Sequence, residues 1–217
     1  PPIGWLMESR GEIGLTLEVQ MREDGLSPPD VGHVVLSHLH EDHTGVAAEF
    51  GGAEFYAGPG TRERMIEGSD SPFAPGVVPE WHQVDFSTGG GTTTATPLGP
   101  FEAAFDLLGD GSIYLIAADG HTAEDIMALL NLPDGPVLLT GDSVVHYDWL
   151  ESDDVERIAV DPERAAIVRN QVRSLLDSGE VLIIPGHDLR RLPSGRPDLI
   201  LHHPERFKPA AWPIGTE

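Results

Sequence analysis

Four side chains that bind metal ions well, His38, His40, Asp42 and His43, fall within six residues and follow directly on the apolar run Val34-Val35-Leu36. A β-branched and aliphatic run of this kind reads as a buried strand, here within Val31 to Ser37, that ends by delivering a loop. So many polar groups at the edge of a core are costly to desolvate without a cation. The chain therefore has to fold so that a rigid sheet edge closes around an ion. His38 and His40, two apart in an extended segment, point to the same side and can grip one ion. Asp42 and His43 follow the turn and can reach a second.

Other ligand types stand behind strands further along. Leu138 to Gly141 leads into Asp142, Val181 to Gly186 leads into His187, and His121 follows the strand Ser112 to Ala117 and the turn Asp119-Gly120. A lone His121 or His187 is ordinarily a surface or satisfied core histidine. Side chains at the ends of adjacent strands, however, converge at one sheet edge, where the scaffold is rigid and loops can open a pocket. The expected division is His38, His40 and His121 for one ion, Asp42, His43 and His187 for the other, and Asp142 bridging the pair through its two oxygens. The chain has no cysteine, which excludes disulfides, thiolate ligands and thiol nucleophiles together.

Around these positions the pattern alternates between strands and helices. Thr44 to Phe50 suits a short helix capped by Thr44, Ala53 to Ala57 a strand, and Thr61 to Glu67 another short helix. Residues 68–101, rich in Gly, Pro, Ser and Thr, read as loop or edge hairpin with Trp81 to Phe86 as their strand. Phe105 to Leu108, Ser112 to Ala117, Asp125 to Leu132 and Gly135 to Thr140 read as a β meander. Asp161 as cap, Pro162 at the first helical position and Gly179 beyond the end mark the clearest helix. Its apolar residues Ala165, Val168, Val172, Leu175 and Leu176 follow helical spacing and should pack on a sheet. Val181 to Ile184 is a short buried strand. The mixture points to an α/β arrangement with helices covering sheet faces.

At 217 residues the chain is long enough for a substantial core, and its length favours one domain over 1–217. The formal net charge of −23 disfavours nucleic acid and anionic lipid as partners and leaves a small-molecule substrate as the expected one. No apolar stretch is long enough to span a membrane, and Pro1-Pro2-Ile3-Gly4-Trp5 carries no charged-then-apolar leader. The expectation is a cytoplasmic protein, with processing or secretion left open. Beyond Leu189 the chain carries Arg190, Arg191, Arg196, His202, His203, Arg206 and Lys208. These read as charge compensation, with a pocket wall or a homodimer contact as the alternatives.

Ser37-His38-Leu39-His40-Glu41-Asp42-His43-Thr44-Gly45 resembles the HxHxDH signature of the metallo-β-lactamase superfamily. Gly120-His121-Thr122, Gly141-Asp142 and Gly186-His187-Asp188 resemble its later motifs in the same order, and the similarity runs from about Leu26 to Asp188. The resemblance implies a four-layer αββα sandwich with the metals at the edge between its sheets. It also implies zinc by default, with iron, manganese or cobalt in some members. Two departures stand out. Nothing before Gly25 supplies the family's opening hairpin and Asp-x-Gly turn, so that hairpin is expected to be missing or altered. The absence of cysteine also excludes the ligand set of the commonest β-lactamases of this fold.

The expected chemistry is hydrolysis: a water bridging two divalent cations loses a proton near neutral pH, and the hydroxide attacks a carbonyl. Asp142 would hold the metals at working distance, Asp42 would steer the nucleophile, and His146 or Tyr147 would protonate the leaving group. Among family branches the motifs look most like the lactonases that open N-acyl homoserine lactones, so a lactone or related carboxylic ester is the expected substrate. Thioester hydrolysis of the glyoxalase II kind, β-lactamase, phosphodiesterase and mononuclear-iron persulfide dioxygenase activity stay open, as does a silent metal-stabilised binding module.

Overall fold

Residues 17–23, 25–65, 79–84, 86, 95–133, 135–154 and 158–188 are described by the computed structural model. The elements in chain order are α1 (Leu17–Glu23), β1 (His33–Leu36), α2 (Glu41–Thr44), β2 (Glu54–Ala57), α3 (Thr61–Met65), β3 (Glu80–Gln83), β4 (Thr96–Leu98), β5 (Phe101–Asp106), β6 (Ile113–Ala117), β7 (Ile126–Leu132), β8 (Gly135–Leu139), α4 (Tyr147–Glu151), α5 (Pro162–Ser178) and β9 (Leu182–Ile184). Short 3₁₀ turns occupy Pro28–Asp30, Ala47–Phe50 and Gly141–Ser143.

Two sheets result. β1, β2 and β3 pair in parallel, while β4 to β9 form a six-stranded sheet. Within the larger sheet β4 to β8 meander antiparallel, as the turn signals at Gly109-Asp110-Gly111 and Pro133-Asp134-Gly135 require, and β9 joins β8 in parallel after the crossover through α4 and α5.

Alternation along the strands sorts the side chains into three apolar layers. Val35 and Tyr56 of the small sheet face Leu115, Ile126 and Ala128 of the large one between the sheets. Leu36, Phe55 and Ala57 point the other way, onto Ala47, Phe50, Met65 and Met21. On the far side Ile116, Met127, Leu129, Leu138 and Ile183 meet Val168, Val172, Leu175 and Leu176 of α5. The order is helices, sheet, sheet, helices, the four-layer αββα sandwich.

α5 starts and stops where its sequence dictates. Asp161 accepts from the Arg164 N–H at 3.0 Å, Pro162 opens the helix, and Gly179 closes it at φ 70° with its N–H on the Leu176 carbonyl. The helix expected from Thr44 to Phe50 is instead two pieces. α2 begins at Glu41, with His40 as its cap residue, and ends at Thr44. A separate 3₁₀ turn follows at Ala47–Phe50. Thr44 is not the cap: its hydroxyl donates back to the His40 carbonyl at 3.1 Å, a bond that β-branched hydroxyl residues make at the end of a turn rather than its start. Asp42 and His43 thus sit in a helical turn.

β5 extends from Phe101 to Asp106, earlier than the expected Phe105 to Leu108, because Asp106 turns back to accept from the N–H groups of Gly109 and Gly111 at 2.9 Å each. The expected N-terminal hairpin change and the basic C-terminal stretch lie outside the described residues. Among the described residues no helix is long and apolar enough to cross a membrane.

Candidate metal centre

The sequence-predicted ligands all meet at one edge, where the two sheets come together. The junction is a backbone bond: the Ile126 N–H at the start of β7 donates to the Ser37 carbonyl just past β1 at 2.9 Å. His121 is held from the other side, since the N–H groups of Val160 and Asp161, leading into α5, donate to the carbonyls of His121 and Gly120 at 3.0 and 2.9 Å. Arg164 of the first turn of α5 reinforces this by gripping Asp119 at 3.1 Å.

The seven side chains fall into two groups with Asp142 between them. Nδ1 of His40 lies 2.8 Å from Nε2 of His38 and 3.1 Å from Nε2 of His121. Oδ2 of Asp142 lies 3.5 Å from Nε2 of His121 and 3.9 Å from Nε2 of His38. In the second group Nε2 of His43 is 3.3 Å from Nε2 of His187, and Oδ2 of Asp42 is 3.6 and 3.4 Å from those two nitrogens. The other Asp142 oxygen, Oδ1, lies 3.0 Å from Nε2 of His187 and 3.2 Å from Nε2 of His43.

These separations fit a metal. Zinc bonds of about 2.0–2.1 Å in a tetrahedron put neighbouring donor atoms about 3.3 Å apart. Three imidazole nitrogens converging on one point cannot all be satisfied by N–H···N bonds, since each neutral ring carries a single hydrogen. Oδ1 of Asp142 is buried against the His187 and His43 rings without a well-directed hydrogen bond to either. A cation between these atoms removes both problems.

The electrostatics agree. Burial, and then the neighbouring His43, push His38 down to about 3, so its ring is neutral and its lone pair available near neutral pH. Burial opposes the charge on Asp142, but the imidazoles of His187 and His43 outweigh it and hold the carboxyl well below the usual range. Pairing with Asp142 raises His187 against the effect of its own burial.

Glycines explain the later motifs. The β8 and β9 ends pass so closely that a Cβ on Gly186 would lie 2.5 Å from the Gly141 carbonyl oxygen and 2.8 Å from Oδ1 of Asp142. Gly141 itself adopts φ +50°, where a side chain would also press on Ser37. The Gly-Asp and Gly-His pairs are two turns that must touch.

Sequence reasoning missed the residues behind the ligands. The Ser37 hydroxyl lies 3.2 Å from Nδ1 of His38 and 3.3 Å from Nδ1 of His43, so one side chain orients a histidine of each group. Asp125, 3% exposed, lies 3.6 Å from Nδ1 of His38 while accepting from the backbone and hydroxyl of Thr122 at 2.8 Å each. Burial pushes its carboxyl up to about 6. The Thr-x-x-Asp spacing before a strand was the readable signal for it.

The two expected proton donors fare differently. The hydroxyl of Tyr147 donates to the Ile183 carbonyl, and its ring, 5% exposed, belongs to the core under α5. This placement speaks for a packing role of Tyr147 rather than the expected proton donation. His146 occupies the position before α4 without a side-chain capping bond, and its buried Nδ1 has no hydrogen bond.

A family model described as "Metallo-beta-lactamase superfamily" matches residues 8–187. The chain is 32% identical over 154 residues to Gamma-lactamase MBL2 of Gibberella moniliformis, covering 62% of this chain and 60% of that protein. It is 26% identical over 179 residues to N-acyl homoserine lactonase AttM of Agrobacterium fabrum, covering 78% and 62%. The chain thus spans about three fifths of the length of these relatives. Among solved structures, a mutant of B. thuringiensis AiiA with N-decanoyl-L-homoserine at its active site superposes with a TM-score of 0.61 at 18% identity, covering 82% of this chain and 64% of that one. AidC, described as a dizinc quorum-quenching lactonase in complex with a product, gives 0.55 at 14% identity, covering 79% and 62%. With the fold, the order of the ligand motifs and the match over residues 8–187 in agreement, the chain belongs to the metallo-β-lactamase superfamily.

Proposed function

We propose that the chain is a metal-dependent hydrolase that opens a lactone or related carboxylic ester, using two divalent ions, by preference zinc, at the His/Asp cluster. The observation that carries this reading is the placement of Asp142, with Oδ2 turned to the His38, His40 and His121 group and Oδ1 to the His43 and His187 group. The lactonases among the relatives and structural neighbours support the substrate class.

Two divalent ions held there would polarise an acyl oxygen and make water acidic enough to serve as a nucleophile near neutral pH. His38, His40 and His121 would hold one ion, and Asp42, His43 and His187 the other. Asp142 sets the spacing between them. Ser37 and Asp125 keep the imidazole of His38 in register. Asp42 turns Oδ2 toward His43 and His187, and its other oxygen would be the one to accept a hydrogen bond from water. His146 would be the proton donor for the leaving group.

A second reading has its own support. The relative at 32% identity is a gamma-lactamase, so a five-membered cyclic amide is the alternative substrate. Hydrolysis of N-acyl homoserine lactones, a γ-lactam, a thioester, a β-lactam and a phosphodiester by the purified, zinc-loaded chain separates these readings. Lactone opening that disappears on chelation supports the first proposal. Turnover of the γ-lactam alone moves the assignment to the second, and turnover of none of the ring substrates overturns both.

A further inference from the structure

The N-terminal ends of the three parallel strands carry another group of ligand-type side chains. His33, Glu54 and Glu80 are register partners across β1, β2 and β3, and His82 is the partner of Tyr56 two residues further on. Register partners in a parallel sheet share a face, so the four lie on the side that carries Tyr56, at its rim. Nε2 of His82 is 3.2 Å from Oε2 of Glu54 and 3.6 Å from Oε1 of Glu80, and Nδ1 of His33 is 3.8 Å from the same Glu54 oxygen. These are the donor separations seen at the His/Asp cluster, which lies at the opposite end of the same strands, about 16 Å away along five residues of extended chain.

Three features set this group apart from ordinary surface charge. Glu54 and Glu80 stand directly opposite each other on neighbouring strands, an opposition of like charges that destabilises a sheet unless a cation offsets it. Nε2 of His82 is shielded from solvent and faces a Glu54 carboxylate oxygen at 3.2 Å without a well-directed hydrogen bond to it. One ring nitrogen and two carboxylates thus gather around a common point. The donors are also held in place: the Tyr56 hydroxyl donates to Glu54 at 2.9 Å, and the Tyr56 ring stacks on His82 with centroids 4.7 Å apart.

We propose that His82, Glu54 and Glu80, with His33 at the rim, bind a divalent cation at a site separate from the His/Asp cluster, where it clamps the N-terminal ends of the three strands. Imidazole and carboxylate together suit zinc or copper(II) better than calcium or magnesium. The two carboxylates neutralise the ion's charge, and the like-charge opposition becomes a bridge. None of these residues takes part in the proposed hydrolysis, so the two assignments stand or fall separately.

Equilibrium dialysis of the whole chain against zinc tests this, comparing wild type with His82→Ala, Glu80→Gln and Asp142→Ala. The first two variants are expected to hold one equivalent less than wild type and to lose part of the zinc-induced rise in Tm, with hydrolytic activity unchanged. Asp142→Ala is expected to keep the equivalent that His82→Ala loses. The Glu80 side chain is 68% exposed, so Glu80→Gln alone decides the matter should His82→Ala fail to fold. Zinc stoichiometry equal to wild type in Glu80→Gln and in folded His82→Ala would overturn the proposal and leave the group an ion-pair cluster only.

Discussion

Oδ1 of Asp142 and Nε2 of His187 meet at 3.0 Å because β8 and β9 run parallel, Leu139 beside Ile184, and end in turns that touch. The Gly186 N–H donates to the Gly141 carbonyl at 3.1 Å, which fixes the two turns before either ligand is placed. The bridge between the two ligand groups is therefore a consequence of strand pairing.

Gly186→Ala should break that relationship. The added Cβ has backbone on one side and the Asp142 carboxylate on the other, so the turns must part, at a cost of about 1–3 kcal/mol. Thermal unfolding and zinc affinity are both expected to fall. Unchanged zinc affinity would show that contact between the turns does not set the site.

Ser37→Ala removes a hydroxyl that touches a histidine of each group. Loss of such an orienting partner weakens metal binding or activity by about 10–100-fold. The expected signature is weaker zinc binding with the circular dichroism spectrum retained, checked by competition with a chelator of known affinity.

Tyr147→Phe separates packing from catalysis. With its hydroxyl on the Ile183 carbonyl, the variant should lose about 1 kcal/mol of stability and keep its kcat. A large drop in kcat with unchanged stability would restore Tyr147 as proton donor.

Acid should destabilise the metal-stripped protein through His38. Its pKa lies near 3 when folded, against an ordinary 6.5, mainly through burial and then through His43. Between these values the unfolded chain binds a proton there that the folded chain refuses, so stability falls as pH drops from about 6.5 toward 3, by up to about 1.4 kcal/mol per pH unit. Asp142, depressed in the fold, adds a further loss at lower pH. Urea midpoints across this window measure the slope. A slope that is as steep in His38→Gln contradicts the assignment.

Much of this was legible in the sequence because the ligands are local or stand just behind strands. The run ending at Leu36, the Asp-Pro start and Gly stop of α5, and the Gly-Asp and Gly-His pairs each carry their signal within a few residues. What escaped depends on contacts distant in sequence. The bond that joins the two sheets at the site runs from Ile126 to Ser37, and the role of Ser37 depends on His43 returning through α2. The contact of Tyr147 escaped for the same reason: its proximity to Asp142 in the chain said nothing of the Ile183 carbonyl that takes its hydroxyl. The misread cap at Thr44 was a local error, since a threonine hydroxyl can serve either end of a turn.

The most direct test of the two-ion hydrolase is lactone opening by metal-stripped protein as zinc is added back in measured equivalents. The two-ion mechanism predicts no activity in the stripped protein, a rise that is complete by the second equivalent bound at the His/Asp cluster, and in Asp142→Ala a loss of at least about 100-fold at any zinc concentration, since a direct ligand should matter more than its orienting neighbours. Lactone opening at the full rate in stripped protein, or in Asp142→Ala, would contradict it.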